Sequence, residues 1–405
     1  MTLFPDRRHF LEVLGGLSIL GTRPGRAASP RTDLDTAGSD FLFDDGLVYL
    51  QTGSLGPTPR PVLDRVIEIW RELERNPVLY GYGSLETAQD EVRQVAADFL
   101  GCARNDLILT SSTTEGLNWA AQGLGLKRGD RVLTTDQEHP GGRSCWEYLV
   151  RTAGITLDEV RLPPDLHNAA GIVDRFSQAI TPDTRVVAFS HLLTSTGLRM
   201  PVAELCALAR SRGALSVVDG AQAAGGIVVN LKALGADVYA TSGHKWLLGP
   251  KGTGLLYLSE AIGSRVDPIA LQGGRASYSA SSGVRNIPGL IGLAESIKYL
   301  VARGPGATEG HNVALRNRLQ PMLQALPRLT VVSAPPGPLA SPLLTYSLPA
   351  GIPSGDLYRR LFERHRVVVK VVPGQWMNGQ RISTHLFNSE ADLEALVAAL
   401  RLELA

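Results

Sequence analysis

The chain has 405 residues, 44% of them hydrophobic, enough to bury a large core and to form two or three domains. Forty basic residues against 39 acidic ones leave a formal net charge of +1, which argues against nucleic acid or an anionic membrane surface as partner and favours small-molecule chemistry. Three scattered cysteines, Cys102, Cys145 and Cys206, provide neither a disulfide framework nor a Cys-x-x-Cys metal or redox pair.

In chain order, the first feature is Arg7-Arg8 ahead of the short apolar run 13–20, with the small residues Ala27 and Ala28 after it. The run is too short to span a bilayer, and the pattern resembles a twin-arginine export signal. It implies a signal peptide over 1–28, passage of the folded protein through the twin-arginine translocase, and a periplasmic or secreted location. The polar stretch 29–46 reads as an N-terminal arm, with order expected from near Leu47. Residues 47–59 form a short strand running into a Gly/Pro turn, and 62–74 has helical spacing. Short apolar runs follow at Leu107–Thr110, Arg131–Thr135, 185–190, 215–218, 238–240 and Gly254–Leu258, most of them separated by helical patterns such as 202–212. That alternation predicts an α/β fold, a mostly parallel sheet covered by helices on both faces, with ligands gathered at the carboxyl ends of the strands. After Gly304-Pro305-Gly306 the pattern changes to a long helix, 309–326, then shorter strands and a last helix, Glu390–Leu404. The division expected is a large domain, 47–304, and a smaller α+β C-terminal domain, 305–405.

The polar residues just after the apolar runs carry the chemistry. Ser111-Ser-Thr-Thr-Glu-Gly116 opens a helix, where hydroxyls and backbone N–H groups cradle a phosphate, with Thr113 and Thr114 as candidates; Ser/Thr runs also cap helices for purely structural reasons. Gln137-Glu138-His139-Pro140 sets an imidazole where it can stack on an aromatic ring and shuttle protons. Asp219-Gly-Ala-Gln222 places a carboxylate at a strand end and an amide a turn later. Thr241-Ser242-Gly243-His244-Lys245-Trp246 ends another strand with a lysine whose pKa would fall, in a dry site with neighbouring positive charge, far enough to form an imine. Each part has a bland explanation when taken singly. Together they form a site for pyridoxal 5'-phosphate: Lys245 attaches the cofactor, Asp219 keeps its ring nitrogen protonated, and Gln222 donates to its phenolic oxygen.

In this order and spacing the parts resemble the class V aminotransferase family of fold-type I pyridoxal phosphate enzymes, which contains cysteine desulfurases, kynureninases and isopenicillin N epimerases. The resemblance runs from about Leu47 to the C-terminal end. Tyr49-Leu-Gln-Thr-Gly-Ser-Leu-Gly-Pro57 and Asn76-Pro77-Val78 are most similar to the isopenicillin N epimerase branch. The resemblance implies a homodimer, cofactor binding by Thr113, Thr114, His139, Thr194, Asp219, Gln222, Ser242, His244 and Lys245, catalysis by Lys245 and His139, and no metal. It also implies that Arg381, in Gln380-Arg381-Ile-Ser-Thr-His-Leu-Phe-Asn388, binds the substrate carboxylate. Two positions depart from the family pattern. Thr194 stands where many members carry asparagine, and Ser282-Gly-Val-Arg285-Asn286 lacks the threonine that reaches the partner subunit's phosphate, leaving Arg285 or Asn286 as its replacement.

The function expected is that of an exported epimerase or aminotransferase acting at the Cα of an amino acid, or of an amino-acid moiety in a peptidic metabolite. The alternative is a carbon-sulfur lyase or cysteine desulfurase-like enzyme. A persulfide-forming desulfurase needs a cysteine in the loop before Arg381, and that loop reads Val371-Val-Pro-Gly-Gln-Trp-Met-Asn378. A non-catalytic binding protein that keeps the fold is a third reading, against which Lys245, Asp219 and His139 all stand.

Overall fold

The computed structural model describes residues 37–274 and 278–405; the signal and most of the arm expected from the sequence lie outside the described residues. The strands are β1 (Val48–Tyr49), β2 (Leu107–Thr110), β3 (Arg131–Thr135), β4 (Thr156–Val160), β5 (Thr184–Ser190), β6 (Leu215–Asp219), β7 (Val238–Ser242), β8 (Gly254–Leu258), the short β9 (Tyr278–Ser279) and β10 (Gly283–Val284), and then β11 (Thr330–Val331), β12 (Leu343–Ser347), β13 (Val367–Val368), β14 (Lys370–Val371) and β15 (Gly379–Ser383). Seven of them make the central sheet, in the order β2-β8-β7-β6-β5-β3-β4. Five strands, β4-β3-β5-β6-β7, run parallel, and β8 is antiparallel to both of its neighbours.

Successive side chains of a strand point to opposite faces, and here both faces are covered, so the strands read as unbroken apolar runs. On one face Val186, Ala188, Val217, Ala240 and Leu256 pack with Leu117 and Trp146 of the helices Thr113–Gly123 and Pro140–Thr152. On the other, Val187, Phe189, Val218 and Leu255 pack with Phe176, Leu205, Leu293 and Ile297 from the helices Ala169–Ala179, Val202–Ser211 and Ile287–Arg303.

The C-terminal part builds a second sheet, β11-β12-β15-β14, all antiparallel, over a separate core that includes Leu315, Leu319, Leu357, Leu361, Leu396 and Leu400. β1 pairs in parallel with β13 through Val48 and Val367, so the residues that open the described chain lie against its C-terminal part.

Two features differ from the sequence expectation. Order begins before Leu47, because Phe41 is buried against Phe387 and Tyr299, and Asp40 accepts from Tyr299 and pairs with Arg303 at 2.6 Å. The long helix starts at Pro305 rather than at 309, since proline suits a first helical turn, where its missing N–H has no partner to lose. It meets the preceding helix at Gly304, whose φ of 79° falls in the region that favours glycine.

Candidate active site

The carboxyl ends of β2, β3, β5, β6 and β7 converge on a cavity of about 210 Å³ lined by Ser112, Thr113, Thr114, His139, Thr194, Asp219, Gln222, Ser242, His244 and Lys245, among others. All nine residues expected to bind the cofactor line it. Arg381 lines an adjoining cavity of about 260 Å³ that shares His139, Thr194, Gln222 and Lys245 with the first.

Lys245 is placed by the reversal between β7 and the antiparallel β8. Its carbonyl accepts from Leu248 N–H at 3.1 Å, and the preceding carbonyl, of His244, accepts from Gly56 N–H at 2.8 Å. A Cβ at Gly56 would lie 1.9 Å from the Lys245 carbonyl oxygen, so the turn after β1 approaches this closely only because residue 56 is glycine. Lys245 is half-buried by area because its side chain lines the open cavity, yet protein surrounds its amine. Desolvation lowers its pKa to about 8, assisted by the positive charges of Arg381 and Lys370 and opposed by the negative charge of Asp219.

Asp219 ends β6 and is buried, with Oδ1 accepting from Ala221 N–H at 2.9 Å. Burial raises its pKa, while that hydrogen bond and the positive charge of Lys245 act in the opposite sense. The helix Pro140–Thr152 passes directly over its other oxygen: a Cβ at Gly142 would lie 2.6 Å from Asp219 Oδ2. Behind it sits Glu138, whose carboxyl accepts from Thr135 Oγ1 at 2.6 Å, Ser190 N–H at 3.2 Å and Ser190 Oγ at 2.5 Å. Burial pushes Glu138 up to about 7 in spite of these bonds, with Asp219 adding to the rise.

Gln222 is held at both ends of its amide. Its Nε2 donates to the Gly53 carbonyl at 2.8 Å and its Oε1 accepts from Trp246 Nε1 at 2.8 Å, which leaves one amide hydrogen for the cavity. Ser242 serves the helix Thr113–Gly123, because its hydroxyl accepts from Thr113 N–H at 3.0 Å and shares a hydrogen with Thr113 Oγ1 at 2.8 Å. Thr113 is therefore buried and already partnered, whereas the half-buried Thr114 faces Gly141 across the cavity, where an added Cβ would come within 2.6 Å of Thr114 Oγ1. His244 is half-buried, and its Nδ1 is buried without a hydrogen-bond partner.

His139 caps the helix that follows, its Nδ1 accepting from Gly141 N–H at 3.0 Å. Its ring is open to both cavities, but partial desolvation and the charges of Lys245, Arg381 and Lys370 lower its pKa to about 4. A ring kept neutral at pH 7 is suited to stacking; its one proton sits on Nε2 because Nδ1 is accepting.

Arg381 lies in the interior of β15 and is 2% exposed. Its Nη1 donates to the carbonyl of Thr194 at 2.9 Å and to the Thr194 hydroxyl, and its Nε has no partner. Burial lowers its pKa to about 10, so it stays charged. Threonine at 194 thus orients the arginine. Arg285 and Asn286 border a different cavity, of about 230 Å³, with Glu115 and Trp119. Arg285 donates to the Leu109 carbonyl and lies over the Trp119 ring, and the Asn286 side chain caps the helix Ile287–Arg303.

Sequence reasoning missed Ser112, the cap whose hydroxyl accepts from Glu115 N–H at 3.2 Å, although its place one residue before Thr113 was a signal. It also missed Gly53 and Ser54, which reach the site from the Gly/Pro turn after β1, and Lys370 and Trp376 from the C-terminal sheet. No local pattern marks the last two.

Comparison with known proteins gives one family. A family model, aminotransferase class V, matches residues 48–396. Isopenicillin N epimerase of Streptomyces clavuligerus is 31% identical over 391 residues, covering 91% of this chain and 98% of its own length. A probable cysteine desulfurase of Methanothermobacter thermautotrophicus is 31% identical over 299 residues, covering 69% and 73%. Among solved structures, an apo cysteine desulfurase from Thermococcus onnurineus NA1 superposes with a TM-score of 0.79 at 27% identity, over 93% of this chain and 99% of that one. A cystine C-S lyase in complex with cysteine persulfide has a TM-score of 0.80 at 24% identity, over 88% and 98%, which is a likeness of fold.

Proposed function

This chain belongs to the class V aminotransferase family of fold-type I pyridoxal phosphate enzymes, and from that premise we propose that it breaks the Cα–H bond of an amino acid, or of an amino-acid moiety in a peptidic metabolite, as an epimerase or aminotransferase. The observation that carries the reading is Lys245, an amine with its pKa lowered to about 8 in a cavity with a buried carboxylate on one side and a buried guanidinium on the other.

The residues fit the cofactor. The N-terminus of the helix Thr113–Gly123, the Thr114 hydroxyl and the His244 ring would hold the phosphate; Asp219 would meet the ring nitrogen, the free amide hydrogen of Gln222 the phenolic oxygen, and His139 the ring face. When bound, pyridoxal phosphate supplies an electron sink for the pair left when a bond at Cα breaks. Arg381 fixes the substrate carboxylate through the donors that Thr194 leaves free. With its amine free, Lys245 would take the Cα proton as a base whose pKa lies near the working pH. Asp219 would keep a proton on the ring nitrogen, and His139, uncharged, would exclude water without competing for the substrate carboxylate. The face or atom to which the proton returns separates epimerisation from transamination.

Relatives named cysteine desulfurase support a second reading, cleavage of a carbon-sulfur bond. The protein's thiols do not serve it: burial pushes Cys102 and Cys145 up to about 12 and Cys206 to about 11, and none lines either cavity. The two readings separate when the cofactor-loaded enzyme is given amino acids in deuterated buffer. Cα exchange with change of configuration, or keto acid formed once per cofactor, supports the proposal. Catalytic release of sulfide or pyruvate overturns it. Lys245→Ala is expected to abolish both the exchange and the visible absorbance of the lysine-bound cofactor.

Export and dimerisation belong to the same proposal. Residues 1–28 direct the folded enzyme through the twin-arginine translocase to the periplasm or beyond, and a reporter fused behind residues 1–30 is expected to stay inside when Arg7 and Arg8 are both changed to lysine. Two copies associate as a homodimer, and a monomer mass in solution would refute that.

A further inference from the structure

The mouth of the site holds one more cation than the carboxylate of a simple amino acid requires. Lys245, Lys370 and Arg381 all line the 260 Å³ cavity, and no aspartate or glutamate does. The buried carboxylate of Asp219 belongs to the inner cavity, where Lys245 also lies. With Lys245 committed to the cofactor and Asp219 to its ring nitrogen, Arg381 and Lys370 are left as an unbalanced pair.

Their placement makes the imbalance costly. β14 and β15 set Lys370 directly opposite Arg381 in the antiparallel register, on a face that turns toward the cavity. Like charges directly opposite across two strands repel, more strongly where water is scarce. Arg381 is almost completely buried and spends Nη1 on Thr194, with Nε unpartnered. Lys370 is half-buried, and the charge of Arg381 adds to desolvation in lowering its pKa. Among the described residues no acidic side chain neutralises the ammonium. Two cations held face to face over an open cavity are relieved by anions arriving in that cavity. One carboxylate satisfies the guanidinium fork; the ammonium, a separate point charge on a flexible stem, is available for a second. Beside it, Val372, Pro373 and Trp376 give an apolar wall along which the methylene groups joining two acids can lie.

We infer that Lys370 is a specificity residue that binds a second acidic group, so that the substrate is an amino acid, or an aminoacyl moiety, carrying a carboxylate beyond the one at Cα. The inference rests on the proposed chemistry at Cα and names its substrate class.

The test compares aspartate, glutamate and the next longer dicarboxylic homologue with their side-chain amides, using the cofactor-loaded enzyme and Cα deuterium exchange as readout. The wild type should favour the best diacid over its amide by about 30-fold in kcat/KM, the factor that one hydrogen-bonded charge pair supplies. Lys370→Met should remove most of that preference through KM, Lys370→Arg should retain it, and the visible absorbance of the lysine-bound cofactor should report that the variants fold and load. A wild type without the preference, or a Lys370→Met enzyme that keeps it, overturns the assignment. If no amino acid exchanges at Cα, the proposed reaction fails for free amino acids, and titration of the visible absorbance then judges Lys370 separately. Tighter binding of the diacid than of its amide, lost in Lys370→Met, supports the second anion site; equal binding refutes it.

Discussion

At Lys245 three influences lower the pKa and one raises it: desolvation, Arg381 and Lys370 against Asp219, with a result of about 8. The amine is reactive only when neutral, so the rate of cofactor attachment should rise with pH and level off above about 8. Asp219→Asn removes the single raising influence, and the midpoint of that profile, followed by visible absorbance, should move down by about one unit, in the range such a neighbouring charge produces. The same variant loses the anion for the ring nitrogen and should lower exchange at Cα by about 100-fold or more. Arg381→Lys keeps the charge but loses the planar fork, so KM should rise about 10-fold or more with a smaller change in kcat. The sequence made Lys245 and Asp219 visible because carboxylates, hydroxyls, imidazole and amine sit just past apolar strands, whereas Arg381, inside β15, was reached through the family resemblance. Lys370 was not visible, since a lysine within Val367-Val-Val-Lys-Val-Val372 has the ordinary appearance of the polar side of a strand.

The elements that hold the site depend on close approaches made by glycine. The turn after β1 crosses the Lys245 carbonyl at a distance that no Cβ tolerates at position 56. Gly56→Ala meets backbone that has no way to yield locally, so it should destabilise the protein by about 3 kcal/mol and weaken cofactor retention, measured by thermal unfolding and by loss of visible absorbance on dialysis. Gly252→Ala is the matched control. Residue 252 has a φ of 79° with nothing within 4 Å of an added Cβ, so the change should cost only about 1 kcal/mol of backbone strain and leave retention intact. The alternation of strands and helices was legible because burial on both faces produces apolar runs of strand length. The antiparallel β8 was not, because a strand buried on both faces looks the same in either direction, and its direction follows from the short connection that carries Lys245.

Acid stability belongs to the whole molecule. His191 and His385 are fully enclosed, and burial lowers their pKa values to about 3 and about 4. His385 donates from Nε2 to the Trp246 carbonyl at 2.9 Å and accepts at Nδ1 from Leu386 N–H at 2.7 Å, a set of bonds that only the neutral ring can make. In the unfolded chain both rings take up a proton near pH 6.5, so their contribution is complete above that pH and is lost as pH falls toward the folded values. The two protons that these rings take up on unfolding contribute a loss of about 3 kcal/mol per pH unit at the steepest, between about pH 6 and pH 4, to which His139 adds and which Glu138, holding its proton up to about 7 in the fold, partly offsets. Thermal unfolding across that range should show it, and His385→Asn should flatten the slope. By itself, then, the sequence determined the layered α/β plan, the cofactor and the residues at the strand ends, because burial periodicity and reactive side-chain types are local properties of a chain. Only the tertiary structure decided that Gly53 and Ser54 from the first turn, and Lys370, Trp376 and Arg381 from the C-terminal sheet, meet Lys245 in one place. Those contacts join residues more than a hundred positions apart, and they are fixed by packing and strand register, which no stretch of sequence contains.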